Sequence, residues 1–382
     1  VILELGEERE SFIAQVREFA EKEIAPGAVQ RDEEQSFEPV YQIFKEKMAP
    51  KGWLGLCYPK EYGGMGKDFV DLTLALAEIC RKDVSVGAAW SVLMTLGSYP
   101  IYRFGNPLQR QTFLPPLMKG EKLCAFAMTE INAGSDAAMQ ETTAEKIGDF
   151  YKINGRKIYI TNAGYADTYT VIAMTDKTKG TKGISAFIVE KGTPGFTFGK
   201  EYKKMGIRST VQRELIFEDC LIPKENLLGE EGMGFKIAMT TIDTGRLGVA
   251  AQALGGAMGA YDLALRHAKN RVQFGKPIID NQGVSFMLAD MAMKIESARW
   301  LLLESAYLLS QGKPFSKQVA MAKTLCSDYA MSITTDAVQI LGGKGYLQEN
   351  EAERFMRDVK ILQIYEGTNQ IQRVVIAAHL MK

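Results

Sequence analysis

Three short segments hold residue types that can do chemistry. The first is Phe126-Ala127-Met128-Thr129-Glu130-Ile131-Asn132-Ala133-Gly134-Ser135-Asp136, which gathers hydroxyls, an acid and small residues that bare the backbone. Such a stretch offers hydroxyl and N–H donors to a polar ring edge or a phosphate. An ordinary polar turn at a domain boundary reads the same. The second is Ile158-Tyr159-Ile160-Thr161-Asn162 on a predicted strand, where residues two apart share a face. Tyr159 could stack on a flat cofactor while Thr161 hydrogen-bonds it, although packing alone also accounts for the pair. The third is Ile364-Tyr365-Glu366-Gly367-Thr368-Asn369-Gln370-Ile371-Gln372-Arg373, with Glu366 among apolar neighbours just before a helix that Thr368 or Asn369 could cap. An apolar pocket raises a carboxyl's pKa and suits it to general-base work. A helix N-terminus pulls the other way, and a solvated acid at a helix start is the plainer reading.

Other chemistries lack their residues. No strand–GxGxxG–helix unit is present: Gly342-Gly343-Lys344-Gly345 has the wrong spacing, and Gly232-Met233-Gly234 lacks a third glycine. No GxxxxGK[ST] occurs either, which disfavours a Rossmann fold and a P-loop ATPase. With only His267 and His379, a zinc site or a His-based triad is hard to build, and no metal is expected. The five cysteines are scattered and never in a CxxC pair, as in a reducing compartment. Lys plus Arg and Asp plus Glu are both 46, a neutral balance that argues against a general nucleic-acid binder or a polybasic membrane anchor. No leader peptide is read, nor an apolar run of about 18 residues. A soluble, cytoplasmic protein is expected, or a mitochondrial-matrix one if eukaryotic.

The 382 residues suffice for two or three domains. The first third reads helical: Leu5, Phe12, Val16, Phe19, Ala20 and Ile24 recur at three- and four-residue steps until Pro26, and Val40, Ile43, Phe44 and Met48 repeat the pattern. Asp68 is placed to cap a helix running to about 82, and another covers 85–102. The middle third changes period. Tyr151 and Ile153 lead into Asn154-Gly155 and then Ile158 and Ile160, a hairpin signal. Further short strands are read at 171–174, 184–189, 196–198 and 214–217. The last third returns to helix at 235–270, 285–310, 316–341 and 369–380, the first rich in small residues that permit close helix approach. The expected order is a helical domain over 1–120, a β-domain over 121–233 and a helical bundle over 234–382.

Taken together and in this order, the three segments resemble the flavin and active-site motifs of the acyl-CoA dehydrogenase family. Lys204-Met205-Gly206-Ile207-Arg208, Arg271-Val272-Gln273-Phe274-Gly275, and the run from Gln339 through Tyr346 to Glu349, Arg354 and Asp358 are similar to further family motifs. The resemblance spans essentially the whole chain and is closest to short-chain, butyryl-CoA-type members. It implies a multi-domain α+β fold: an N-terminal all-α domain, a middle β-barrel-like domain and a C-terminal four-helix bundle, assembled as a homotetramer. It implies FAD between the β-domain and the bundle. By similarity, Thr129 and Thr161 hydrogen-bond the isoalloxazine, Tyr159 lies against it, and Phe126 and Met128 line the same site. Arg271, Phe274, Gln339, Gly342 and Gly343 would reach the FAD of a neighbouring subunit, and Thr368 and Gln370 would complete cofactor binding. Ser135, Asp243 and Arg246 match positions that hold coenzyme A, and Tyr365 and Gly367 flank the substrate.

The chemistry so implied is α,β-dehydrogenation of a short-chain acyl-CoA to the trans-2-enoyl-CoA. Glu366 removes the α-proton while the β-hydrogen leaves as hydride to flavin N5, and electrons pass to an electron-transferring flavoprotein. In the family, the N–H of the catalytic glutamate and a ribityl hydroxyl polarise the thioester oxygen against the developing enolate charge. A minority of members place the base at the position of Gly245, and glycine cannot serve, so Glu366 is the candidate at either site. Ile131 and Met139 depart from the usual proline and small residue. Met94, on the helix expected to border the acyl pocket, would shorten or reshape that pocket, and ordinary core packing accounts for it equally well. Two other readings remain: the same catalyst run in reverse as an enoyl-CoA reductase in an electron-transferring-flavoprotein complex, and a catalytically silent acyl-CoA or flavin binding protein.

Overall fold

The computed structural model describes residues 6–381; Leu5 lies outside them. The N-terminal segment carries α1 (Glu7–Phe19), α2 (Ala28–Glu34), α3 (Glu38–Gln42), α4 (Phe69–Cys80), α5 (Val84–Ser91), α6 (Ser98–Phe104) and α7 (Pro107–Met118). Their starts are chemically marked. Asp68 and Asp71 form a capping box at α4, Asn106 and Gln109 another at α7, and the Asp83 carboxylate accepts from Ser85 N and Val86 N at α5. Pro26 does not stop the helical path. It enters a 3-10 turn, Ala25–Gly27, where its missing N–H is not needed, and α2 continues beyond.

From α5 the chain stays helical through a π-turn, Val92–Gly97, into α6. This Val84–Phe104 helix is long and apolar enough to cross a membrane, which corrects the expectation that no such run exists. Some 94% of its most apolar window is buried inside the fold, so it is a core helix.

Eight strands form one mixed sheet: β1 (Cys124–Ala127), β2 (Thr143–Ile147), β3 (Phe150–Thr161), β4 (Thr168–Met174), β5 (Ile184–Glu190), β6 (Phe196–Glu201), β7 (Gln212–Pro223) and β8 (Leu227–Leu228). The order is β6-β7-β3-β2-β4-β5-β8, with β1 parallel to β4. All of β4 is buried, as a strand covered on both faces must be. The hairpin expected at Asn154-Gly155 does not form. β3 runs straight through as one strand, and its register with β7 slips between Ile153 and Gly155, where β7 carries the extra residue, Glu218-Asp219 opposite Asn154. Gly155 takes φ +143°, and a methyl there would come within 2.6–2.8 Å of Thr142, so glycine serves strand approach instead of a turn.

The last segment contains α8 (Gly234–Asn270), a two-stranded ribbon β9 (Val272–Gln273) and β10 (Lys276–Pro277), then α9 (Gln282–Ser310), α10 (Ser316–Leu341), α11 (Ala352–Lys360) and α12 (Asn369–Leu380). The small face of α8 lets the N-terminal helices touch its backbone: a methyl at Gly248 would lie 2.1 Å from Ser91 Oγ, and one at Gly255 2.4 Å from Ala77 O. This close seam brings the π-turn, α8 and the turn before α12 to one place.

Candidate active site

The turn 364–369 is folded by its own peptide groups. Glu366 has φ +56° and Gly367 φ +86°. Glycine adopts that region freely, whereas a residue with a side chain costs of order 1–2 kcal/mol there. Side chains from three helices hold the turn by its carbonyls. Arg246 of α8 donates from Nε to Glu366 O at 3.2 Å and pairs through Nη1 with Asp243 at 2.6 Å. Gln372 of α12 donates from Nε2 to Glu366 O at 3.1 Å and Gly367 O at 2.8 Å. Lys323 of α10 donates from Nζ to Gly367 O at 2.9 Å and Asn369 Oδ1 at 2.8 Å. Thr368 Oγ1 accepts from Ile371 N at 3.2 Å and caps α12, and the Tyr365 hydroxyl donates to Gln252 Oε1. The carbonyls are thus occupied, while the Glu366 N–H has no acceptor among the described residues.

The half-buried Glu366 side chain lines a cleft of about 290 Å³ with Tyr365, Gly245, Leu96, Thr161, Gln212 and Ile207. Gly245 makes the room. A methyl there would lie 2.6 Å from Leu96 Cδ2 and 2.9 Å from Glu366 Oε2, so residues 245 and 366 converge on one point. Burial pushes Glu366 up to about 7, opposed by the nearby charges of Arg246 and Lys323. Burial likewise pulls Lys323 down to about 7, opposed chiefly by Glu366. A carboxyl titrating near neutrality in a narrow cleft is suited to taking a proton from carbon.

The π-turn delivers Thr95 and Leu96 to the cleft, with Ser98 donating to Leu93 O from its backbone N–H and also from Oγ at 2.7 Å. Met94 points elsewhere. It is fully buried in the core, its carbonyl accepts from the Tyr58 hydroxyl at 2.5 Å, and it does not line the cleft. Leu96 occupies the place expected of it.

On the sheet side only Thr161 of the Tyr159/Thr161 pair lines the cleft, its Oγ1 accepting from Gln212 Nε2 at 3.1 Å. A second slip between Lys157 and Ile160 gives Tyr159 φ +60° and turns its exposed ring toward Tyr202, 5.0 Å away between centroids. The 126–136 segment lies beside the cleft, not in it. Met128 is buried, Phe126 and Thr129 are half-buried, and Ser135 is exposed. The segment is tied to β3 by Thr129 O accepting from Ile158 N at 2.9 Å and by fully buried Lys157. Lys157 Nζ donates to Met128 O at 3.2 Å, Glu130 Oε1 at 2.5 Å and Gln140 Oε1 at 2.6 Å. Three acceptors use all three N–H groups of an ammonium, so the pair is charged. Ile131 and Met139 face solvent.

Arg271, Phe274, Gln339, Gly342, Gly343 and Gln370 are exposed and do not line the cleft of their own chain. Phe274 is 97% exposed at the tip of the β9–β10 ribbon.

Comparison with known proteins follows the same three segments. The acyl-CoA dehydrogenase N-terminal domain matches residues 6–121, the middle domain 125–220 and the C-terminal domain 232–381. The chain belongs to the acyl-CoA dehydrogenase family. This family comprises flavin-dependent oxidoreductases, and membership implies FAD as cofactor and acyl-CoA as substrate class. The chain is 48% identical over 378 residues to the short-chain specific acyl-CoA dehydrogenase of Megasphaera elsdenii, covering 98% of each. It matches the structure of butyryl-CoA dehydrogenase from the same organism with a TM-score of 0.96 at 47% identity, covering 100% of both chains. A structure from work on the electron transferring flavoprotein of Acidaminococcus fermentans and flavin-based electron bifurcation gives 0.97 at 49% identity, also covering 100% of both.

As an acyl-CoA dehydrogenase, the chain shows groups that sequence reading missed. Lys323, Gln372, Gln252, Leu96 and Lys157 all shape the site. One signal was readable. Val319, Ala320, Lys323, Cys326 and Ser327 fall at core spacing along α10, and a lysine at such a position asks for a partner.

Proposed function

We propose that the chain converts a short-chain acyl-CoA thioester, butyryl-CoA first, to its trans-2-enoyl product, with Glu366 as the base. The observation that carries this is the clamped turn, which puts a carboxyl drawn to about 7 beside an unpartnered N–H in one narrow cleft. The N–H of Glu366 polarises the thioester oxygen, and its carboxylate takes the α-proton as enolate charge develops. The narrow cleft, in which Leu96, Ile207 and Val249 stand beside the polar groups, limits water during the transfer. Bound FAD supplies the two-electron acceptor for the hydride that leaves the β-carbon.

The residues fit such a group. Asn162 Oδ1 and Ser209 Oγ, next to cleft-side segments, are buried without hydrogen-bond partners, so polar capacity is left over for a ligand. Thr129 and Thr161 would hold the ring, with Tyr159, Phe126 and Met128 against it and Thr368 and Gln370 completing the site. Arg271, Phe274, Gln339, Gly342 and Gly343 stand out from their own chain, as groups serving a neighbouring subunit in a homotetramer would. A methyl at Gly342 or Gly343 meets nothing within 4 Å, which leaves their backbone open to a partner. Ser135, Asp243 and Arg246 would meet coenzyme A, Arg246 having its first task at the Glu366 carbonyl. Tyr365 and Gly367 flank the acyl group. We divide the chain at about 121 and 234, with the flavin between the second and third units. An electron-transferring flavoprotein is the proposed electron acceptor, which the likeness to the Acidaminococcus fermentans structure supports. The same residues serve the reverse, enoyl-reducing direction.

The test is anaerobic titration of the flavin-loaded protein with butyryl-CoA. Bleaching of the flavin absorbance is expected, and Glu366→Gln should slow it roughly 10²–10⁴-fold while leaving flavin bound. A Glu366→Gln protein that bleaches at the normal rate would remove the proposed base. Flavin that only an enoyl-CoA reoxidises would assign the reverse direction.

A further inference from the structure

The bundle contains a buried charge that packing does not call for. Lys323 is fully buried at a core position of α10, where an apolar side chain would fill the space without losing hydration. It touches no carboxylate. Its Nζ donates to Gly367 O at 2.9 Å and Asn369 Oδ1 at 2.8 Å. The nearest acid on its own helix, Asp328, is taken by other donors: Asn369 Nδ2 at 2.7 Å, Gln363 Nε2 at 2.8 Å and Arg373 Nη2 at 3.2 Å.

We propose that Lys323, donating from inside the bundle to the Gly367 carbonyl and the Asn369 amide, is the positioning residue that sets the Glu366 carboxylate for proton abstraction. This rests on the reading of Glu366 as the base. Two separate contributions follow from the geometry. The first is mechanical. Glu366 holds a left-handed φ, and its neighbour's carbonyl is shared by Lys323 and Gln372, so the turn is fixed from both α10 and α12. The second is electrostatic. A neutral donor such as Gln372 already meets the turn's hydrogen-bonding need, so what an ammonium adds is positive charge felt across a medium of low dielectric. The charged groups acting on it are Glu366 on the turn, Arg246 on α8, itself paired with Asp243, and Asp328 on α10, itself paired with Arg373 of α12. Of these, Glu366 is the acid that its charge favours in ionised form most strongly. Burial alone would carry the Glu366 carboxyl higher than it stands; Arg246 first and then Lys323 hold it down.

Two variants separate the contributions in the flavin-loaded enzyme. Lys323→Gln keeps a donor and removes the charge, and Lys323→Met removes both. Flavin reduction by butyryl-CoA is followed by stopped flow across pH 5.5–9.5, with the flavin spectrum reporting an intact site. For Lys323→Gln the rising limb of rate against pH should move up by about one pH unit, with the plateau at high pH largely retained. For Lys323→Met the limb should move and the plateau should also fall, roughly 10–10²-fold, as the turn loosens. A merely structural lysine would change stability and leave the limb where it is. Wild-type limb and plateau in a folded Lys323→Gln protein would overturn the proposal, and this variant carries the test if Lys323→Met does not fold. Glu366→Gln, run alongside, keeps the two readings apart. If it reduces flavin normally, the base assignment fails, whereas an inactive Glu366→Gln with unaltered Lys323 variants defeats the positioning role alone.

Discussion

Lys157 in the sheet and Lys323 in the bundle are both fully buried, both drawn below the ordinary lysine range by burial, and both donate to a main-chain carbonyl of a loop at the site. They differ in where the opposite charge sits. Lys157 meets Glu130 at 2.5 Å, and the Glu130 carboxylate also accepts from Glu141 N at 2.6 Å and Thr142 N at 3.1 Å. That charge is spent locally, and its product is a rigid loop. Lys323 meets only a carbonyl and an amide, so its charge acts on the next acid available, which is Glu366. A buried lysine with a contacting carboxylate is an anchor. One without it modulates whatever acid lies nearby.

The anchor is where the largest stability effect is expected. Lys157→Met strips the counter-charge from a Glu130 carboxylate that is 3% exposed and cannot escape to water. Leaving one member of a buried pair costs roughly 3–5 kcal/mol. Urea unfolding of the flavin-loaded protein should show a loss of that size, clearly beyond that of Lys323→Met, together with weakened flavin retention. Equal losses for the two lysines would break the distinction drawn between them.

Helix periodicity and the cap at Asp68 are local features, and the elements they announce are present; the caps at Asp83 and Asn106, and with the latter all of α7, went unread. β1, β2 and α11 went unread: the two strands are too short to show a full apolar period, β2 being largely exposed besides, and the buried face of α11 includes the charged Arg354 and Asp358. Asn154-Gly155 carries the dipeptide of a tight turn, yet pairing of β3 with β7 along its whole length outweighs it. At the site, the apolar setting of Glu366 was legible. The clamp on its turn was not, because Arg246 and Lys323 reach it from 120 and 44 residues away. Resemblance supplied the roles of the threonines and of the exposed ribbon, which residue types alone left open.

Moving the carboxylate without touching either lysine sharpens the comparison further. Gly245→Ala places a methyl 2.9 Å from Glu366 Oε2 and 2.6 Å from Leu96 Cδ2, and both side chains must shift. In the middle of a helix, alanine recovers up to about 1 kcal/mol of backbone preference, which offsets part of the crowding. A nearly unchanged melting temperature is therefore expected, with flavin reduction by butyryl-CoA roughly tenfold slower. A large loss of stability with normal reduction would mean that the carboxylate tolerates displacement, and that its placement by Lys323 matters little.

The linkage between protons and stability separates the site from the anchor by its sign. Glu366 titrates at about 7 in the folded chain against 4.5 for a free glutamate. Between those values the folded state holds the proton that the unfolded state has released, so stability falls as pH rises through that window and stays lower above it. Replacing Glu366 by glutamine removes the term. Glu366→Gln should therefore melt higher than the wild type at pH 8 and no higher at pH 4.5. Glu130 runs in the opposite sense. Lys157 holds its carboxyl below the ordinary range despite burial, so it contributes stability above that range which is lost in acid. Paired melting curves of the flavin-loaded proteins at the two pH values measure the difference directly. A Glu366→Gln gain of the same size at both would show that the carboxyl is not held in its neutral form by its surroundings, and that the contrast between the two buried lysines does not extend to their acids.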